Sequence, residues 1–214
     1  MTADLVVVGC GGHGREVYGI ARAVNAAAAA PRWRLVGFVD DDPSAENLVR
    51  VKRLGAEYLG SCAWLADAPP GIQYVVGVGH PRVRAALAGQ IERYGWPAAI
   101  LVHPAATVGD DTALDGGVVL AAGARITTNV VLGRHAHVGQ NATVGHDTVV
   151  EECVSIHPLA AVSGECHLGR AALIGTTAAV LQRLRVGAEA VVGAGACVVR
   201  DVPAGVTVKG VPAR

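Results

Sequence analysis

From Val108 to Val198 an aliphatic residue returns every six positions, sixteen times without a gap: Val108, Leu114, Leu120, Ile126, Leu132, Val138, Val144, Val150, Ile156, Val162, Leu168, Ile174, Val180, Val186, Val192 and Val198. Four residues after each stands a small or apolar residue, from Thr112, Val118 and Ala124 to Ala190, Ala196 and Val202. A hexad sustained over this length specifies a parallel β-helix, in which very short strands alternate with turns. Three hexads close one triangular coil, so residues eighteen apart stack roughly 4.8 Å from each other in neighbouring coils. Sixteen hexads give just over five coils. Burial of each aliphatic contributes roughly 1.5–3 kcal/mol. Residues 208–214 depart from the hexad and are expected to pack outside the coils.

The first hundred residues follow other periods. The apolar run at residues 5–8 reads as a buried strand entering Gly9-Cys-Gly-Gly-His-Gly14, and an amphipathic helix is expected over residues 15–29, before Pro31. A second strand, Trp33–Val39, closes on Asp40-Asp-Asp-Pro43. A third, over residues 72–78, precedes Gly79-His-Pro81 and a helix from Pro81 to about Tyr94, where proline suits the first turn because its missing N–H would be unpaired there. Strand–helix–strand alternation implies a parallel sheet in a Rossmann-like α/β domain. Between Pro43 and Pro70 the pattern assigns no element. The stretch from Trp96-Pro97 to His103-Pro104 is the joint, giving domains 1–102 and 103–214.

Composition removes several classes of function. With 18 basic and 18 acidic residues, no whole-molecule field attracts nucleic acid or membrane. Five cysteines without a CxxC make neither a disulfide framework nor a zinc site, and Cys166 falls on an inward position. Residues 1–5 carry no basic cluster and residues 5–8 are too short an apolar run for a signal peptide or a span, so a cytoplasmic protein is expected. Of the eight histidines, His135, His137, His146, His157 and His167 occupy five different columns of the repeat. None stacks on another, no metal site is expected, and an isolated outward histidine on a β-helix is ordinarily a surface residue.

Two columns still invite a ligand. His146 has Thr128 one coil below and Gly164 one coil above, where bare backbone offers an N–H beside the imidazole. His157 is followed by Gly175 and Gly193, a file of glycines on which a thin ligand could lie flat. In the α/β half, Gly9-x-Gly11-x-x-Gly14 fits the dinucleotide fingerprint, with Asp40 ending the second strand. A glycine loop at a helix N-terminus suits any phosphate, and such loops also occur without ligands.

Gly9-Cys-Gly-Gly-His-Gly-Arg-Glu-Val17, Val39-Asp-Asp-Asp42, Val76-Gly-Val-Gly79, Ile100-Leu-Val-His-Pro104, Val144-Gly-His-Asp147 and Gly210-Val-Pro-Ala-Arg214 together resemble the sugar O-/N-acyltransferases of the sialic acid and bacillosamine pathways. The resemblance spans nearly the whole chain. It implies a left-handed β-helix, against the usual right-handed crossover, behind a nucleotide-sugar-binding domain. It also implies a homotrimer with acetyl-CoA held between adjacent prisms. The family's general base maps to His146, and Asp147 becomes its partner if it meets the other ring nitrogen, which requires a turn. Gly11, Gly12, His13 and Gly79 then contact the nucleotide sugar, with Asp40 and Asp41 on its base or ribose. Gly164 N–H becomes the donor to the thioester carbonyl, and Thr176 and Ala194 offer backbone contacts to acetyl-CoA. Where some members carry a cofactor-contacting histidine this chain has Ser155, and whether His157 substitutes is left open.

The implied reaction is acetyl transfer to the amine of a nucleotide-linked 4-amino-6-deoxy sugar, without an acyl-enzyme. Two alternatives stay open: O-acetylation of a sialic acid-like hydroxyl, and a non-catalytic trimeric nucleotide-binding scaffold.

Overall fold

The computed structural model describes residues 2–214. The chain divides into two compact units after Leu101.

In the first unit the strands β1 (Ala3–Val8), β2 (Trp33–Val39), β3 (Tyr58–Gly60) and β4 (Ile72–Val76) form one sheet in the order β3-β2-β1-β4. All three pairings are parallel, with Val8 opposite Val39 and Val76. The helices are α1 (Gly12–Ala27), α2 (Ala45–Arg53) and α3 (Pro81–Glu92), with a 3-10 turn at Cys62–Asp67. Runs of valine on β1 and β4 are buried, as parallel strands with covered faces require. Val6, Val8, Val39, Tyr74 and Val76 share a core with Ala88 and Ile91 of α3.

Three details differ from expectation. Helix α1 starts at Gly12, so the second half of the glycine loop is already its first turn. Strand β4 stops at Val76, and the next residue, Gly77, lies so close to α1 that a methyl there would sit 2.5 Å from the Cα of Gly14. Helix α2, capped by Ser44 accepting from the Asn47 N–H at 3.2 Å, is a short, mostly polar helix that buries only Val51 fully, too brief a segment for its apolar side to stand out in the sequence.

The second unit is a prism with three parallel sheets of five, six and seven strands. Strands pair eighteen residues on: Thr143 with Ala161, Val149 with His167, His137 with Ser155. From Leu120 onward the inward aliphatics are buried, as are most of the small residues four places later, Ala124 and Ala142 among them, whereas Val108 at the open end of the prism is exposed. Each corner is a two-residue turn. At twelve corners a non-glycine residue holds the second place at φ between 53° and 65°, a left-handed conformation costing on the order of 1–3 kcal/mol. An inter-coil bond offsets it: Cys153 N–H donates to Arg134 O at 2.8 Å and Glu165 N–H to His146 O at 2.7 Å.

The end of the repeat departs from expectation. Thr207–Val208 is a strand paired with Val191 and Val192, so a shortened hexad still adds to the prism. Only the last residues leave it, and they fold back on its edge, where Cys197 N–H donates to Gly210 O at 3.0 Å. Two histidines expected at the surface are buried, His135 at 1% and His137 at 4% exposure. The His135 ring fills the place a side chain at Gly117 would take, within 2.2 Å of a methyl there, and His137 lies in a row with buried Val119 and Ser155.

Candidate active site

His146 and Asp147 form the turn between the strands Thr143–Val144 and Val149–Val150. Neighbours on a strand point apart, but Asp147 takes φ 58°. That turn brings its Oδ2 to 2.6 Å from Nδ1 of His146. An ionised carboxylate only accepts, so Nδ1 carries a proton, and in the neutral imidazole Nε2 then keeps its lone pair. The other carboxylate oxygen, Oδ1, accepts from Asn129 Nδ2 at 2.6 Å. Bonds from Asn129 first and His146 second hold the Asp147 carboxyl below its usual range. Both members of the pair are about half exposed.

Gly164 lies against the imidazole: a methyl there would sit 2.5 Å from Nε2 and 2.6 Å from Cε1. Gly145 is equally constrained, since a methyl on it would reach 2.5 Å from the Gly164 nitrogen. Buried Thr148 ties the corner together, donating to Ser163 O at 3.2 Å while its Oγ accepts from Cys166 N–H at 3.3 Å. Cys166 is inward, and burial raises its thiol pKa.

The acetyl-CoA candidates divide. Gly164 is beside His146, whereas Thr176 and Ala194 stack on the corner that follows the strand Leu173–Ile174, one full side of the prism away. Both are exposed turn residues, and Gly195 N–H donates to Thr176 O at 2.9 Å. Ser155 is buried at 3% exposure between His137 and Leu173 and does not join that surface, while His157 is half-buried. The glycine file above His157 is no open ledge: the place of a Gly175 side chain is taken by the next coil, 2.6 Å from Ala194 N, and that of Gly193 by Lys209 at 3.1 Å. Those glycines serve coil stacking.

In the first unit the glycines sort by what surrounds them. A methyl on Gly14 would lie 1.9 Å from Gly9 O, so Gly14 is there for close helix–strand packing. Gly11 has nothing within 4 Å, and Gly12 and Gly79 meet only Arg15 and the His13 ring at 3.9 and 3.7 Å. Gly11, Gly12, His13 and Gly79 therefore make an open lip at the N-terminus of α1. Asp40 and Asp41 close on the protein itself. Asp40 accepts from the N–H groups of Cys10 at 2.7 Å and Asp42 at 3.1 Å, and Asp41 from Cys62 N–H at 2.8 Å. Burial, then the neighbouring aspartate, pushes the Cys10 and Cys62 thiols up to about 12.

Sequence reasoning missed three contributors. Asn129 was readable from the eighteen-residue register, which sets it under Asp147. Thr148 gave no signal beyond a polar residue at an inward position. Arg84, fully buried, donates to the carbonyls of Val78 at 2.8 Å and Gly79 at 3.1 Å and shapes the lip from behind; an arginine in an amphipathic helix reads as surface. Among the described residues no cluster of three or more His, Cys, Asp or Glu could hold a metal ion, and no helix is long and apolar enough to cross a membrane.

Residues 4–91 match the PglD N-terminal domain. Over 100% of this chain and 99% of the other, the fold is similar to the acetyltransferase domain of PglB from Neisseria gonorrhoeae FA1090, solved in complex with acetyl coenzyme A, at 30% identity and TM-score 0.87. The chain belongs to the hexapeptide-repeat sugar N-acyltransferases. Its β-helix is left-handed, as in those enzymes. This acyltransferase is also similar to PerB from Caulobacter crescentus, solved with CoA and GDP-perosamine, at 29% identity and TM-score 0.88 over 100% of this chain and 97% of that one. A more distant likeness, 32% identity over 115 residues, joins 53% of the chain to serine acetyltransferase 2 of Arabidopsis thaliana. The chain spans about a third or less of the length of that protein and of serine acetyltransferase 4.

Proposed function

We propose that this acyltransferase moves the acetyl group of acetyl-CoA to the amino group of a nucleotide-linked 4-amino-6-deoxy sugar, with His146 as general base. The observation that carries the reading is the state of the imidazole. Nδ1 is committed to Asp147, and Nε2 remains as a base at the bare backbone of Gly164. The amine nitrogen attacks the thioester carbonyl carbon, and Nε2 accepts the proton the nitrogen must lose. The tetrahedral intermediate collapses by breaking the C–S bond, and the proton returns to the CoA sulfur. Gly164 N–H stabilises the oxyanion. The reaction needs no cysteine nucleophile, and Cys10 and Cys62 are held as neutral thiols.

The open lip of Gly11, Gly12, His13 and Gly79 receives the diphosphate of the nucleotide at the N-terminus of α1, where the helix dipole favours an anion. Asp40 and Asp41, each already accepting backbone N–H groups, offer their remaining lone pairs to base or ribose. Thr176 and Ala194 stand a prism side away from His146, which supports a homotrimer: the edge of one subunit faces His146 of the next and completes the acetyl-CoA groove. A cytoplasmic location supplies the acetyl donor.

The test is release of CoA thiol, with mass spectrometry of the sugar, on a panel of UDP-, GDP- and dTDP-linked 4-amino-6-deoxy sugars and free sialic acid. Acetylation of an amine on one nucleotide sugar is expected. Acetylation of hydroxyls alone would sink the amine assignment, and absence of turnover together with no calorimetric CoA binding would leave a scaffold.

A further inference from the structure

We propose that Asn129 is a positioning residue for the His146–Asp147 pair: its side-chain amide pins one oxygen of Asp147 so that the other stays on Nδ1 of the imidazole. The proposal rests on His146 being the base. Asp147 is half exposed, and a free carboxylate on a surface turn exchanges rotamers and water. Here two donors hold it, Asn129 Nδ2 on Oδ1 and His146 Nδ1 on Oδ2, both at 2.6 Å. The amide nitrogen must face the carboxylate, because the amide oxygen would be repelled by it. Backbone bonds fix both turns, Asn129 N–H to Asp110 O at 3.0 Å and Asp147 N–H to Thr128 O at 3.2 Å.

The surrounding charges make the amide matter. Asp111, Asn129, Asp147, Glu165 and Arg183 are the successive second residues of one corner, eighteen apart, all at positive φ. Above Asp147 stands Glu165, whose charge is met from its far side by Arg183 at 3.1 Å. Below stands Asn129, and beneath it Asp111. A neutral donor therefore separates Asp147 from a second carboxylate, and an acid at position 129 would leave Asp147 between two like charges.

Asn129→Gly removes the amide at little backbone cost: φ at Asn129 is 53°, and Gly117, Gly123 and Gly195 fill the same turn position at other corners with φ 81°, 73° and 69°. Asn129→Asp keeps the shape and reverses the electrostatics. The first readout is the tautomer of the His146 imidazole by 15N NMR of histidine-labelled protein, with the signal identified by its loss in His146→Ala. In the native chain the Nδ1–H form dominates; in Asn129→Gly, and more so in Asn129→Asp, the Nε2–H form gains population. The second readout is turnover. Asn129→Gly loses about tenfold in kcat, the scale of one charge-assisted hydrogen bond, with KM for acetyl-CoA unchanged, and loses nothing further in an Asp147→Ala background. An unchanged tautomer, or an equal loss with Asp147 absent, overturns the proposal. Should the native chain turn over no acceptor, the proposed function fails, and the imidazole spectrum still decides the role of Asn129.

Discussion

The prism carries two histidine–carboxylate pairs of nearly equal length. His146 meets Asp147 at 2.6 Å on a corner, and His167 meets Glu151 at 2.7 Å on a flat side. Distance does not separate them; the nitrogen used and the surroundings do. The corner pair engages Nδ1 and leaves Nε2 at a glycine. The flat pair consumes Nε2, while Glu151 also accepts from Arg170 N–H at 2.7 Å and Arg185 stands next in the row above His167. The first arrangement leaves Nε2 beside the bare backbone of Gly164. The second ties one coil to the next. A short bond to a carboxylate therefore says little about catalysis until the free nitrogen and its neighbour are known.

The largest expected effect that would break this contrast belongs to the corner. His146→Ala loses about 10²–10⁴ in kcat, the range of a general base, with acetyl-CoA affinity little changed by calorimetry. Wild-type turnover there would remove the distinction between the two pairs.

Next comes the glycine. Gly164→Ala puts a methyl 2.5 Å from Nε2 and must push the ring aside. A fall of about 10²-fold in kcat is expected in steady-state assays, the scale of a displacement near 1 Å. The φ of Gly164 is not positive, so the backbone accepts alanine and the melting temperature stays near that of the native chain.

The smallest effect sharpens the comparison from the other side. Glu151→Gln is expected to leave kcat within about twofold, as for a surface substitution away from the chemistry. Its mark is on stability. The bond from His167 first, and Arg170 N–H after it, holds the Glu151 carboxyl below its ordinary 4.5. A depressed carboxylate stabilises the fold above that ordinary value, and the contribution drains as pH falls through the lower folded value. Thermal melts of Glu151→Gln and the native chain should therefore differ near neutrality and converge well below pH 4.5; a gap that widens in acid would contradict the assignment.

Much of the fold was legible because a repeat of this length constrains its own geometry. The aliphatic at every sixth place and the eighteen-residue stacking follow from strand alternation and coil closure, and Trp33–Val39 was readable to the residue. Helix α2 was not, because nine mostly polar residues with one fully buried valine give too short an apolar stripe to read. His135 and His137 misled because outward position in the hexad was equated with exposure, while a turn and a row of buried neighbours hide them. In the prism the sequence set His146, Asp147 and Gly164 in their columns, and in the first unit it located the glycine loop. It did not sort the loop's packing glycines from its open ones, and it did not show that Arg84 props the lip from behind.

By itself, then, the sequence determined what a strict period can determine: strand positions, coil length, and which residues stack. Tertiary structure alone decided the rest. Whether adjacent residues meet depends on one positive φ at Asp147, and whether an imidazole stays half exposed depends on the size of the residue one coil away. The left-handed corner recurs with the hexad, but where each side chain reaches from it and what packs beside it are set by neighbours one coil away, which the period alone does not name.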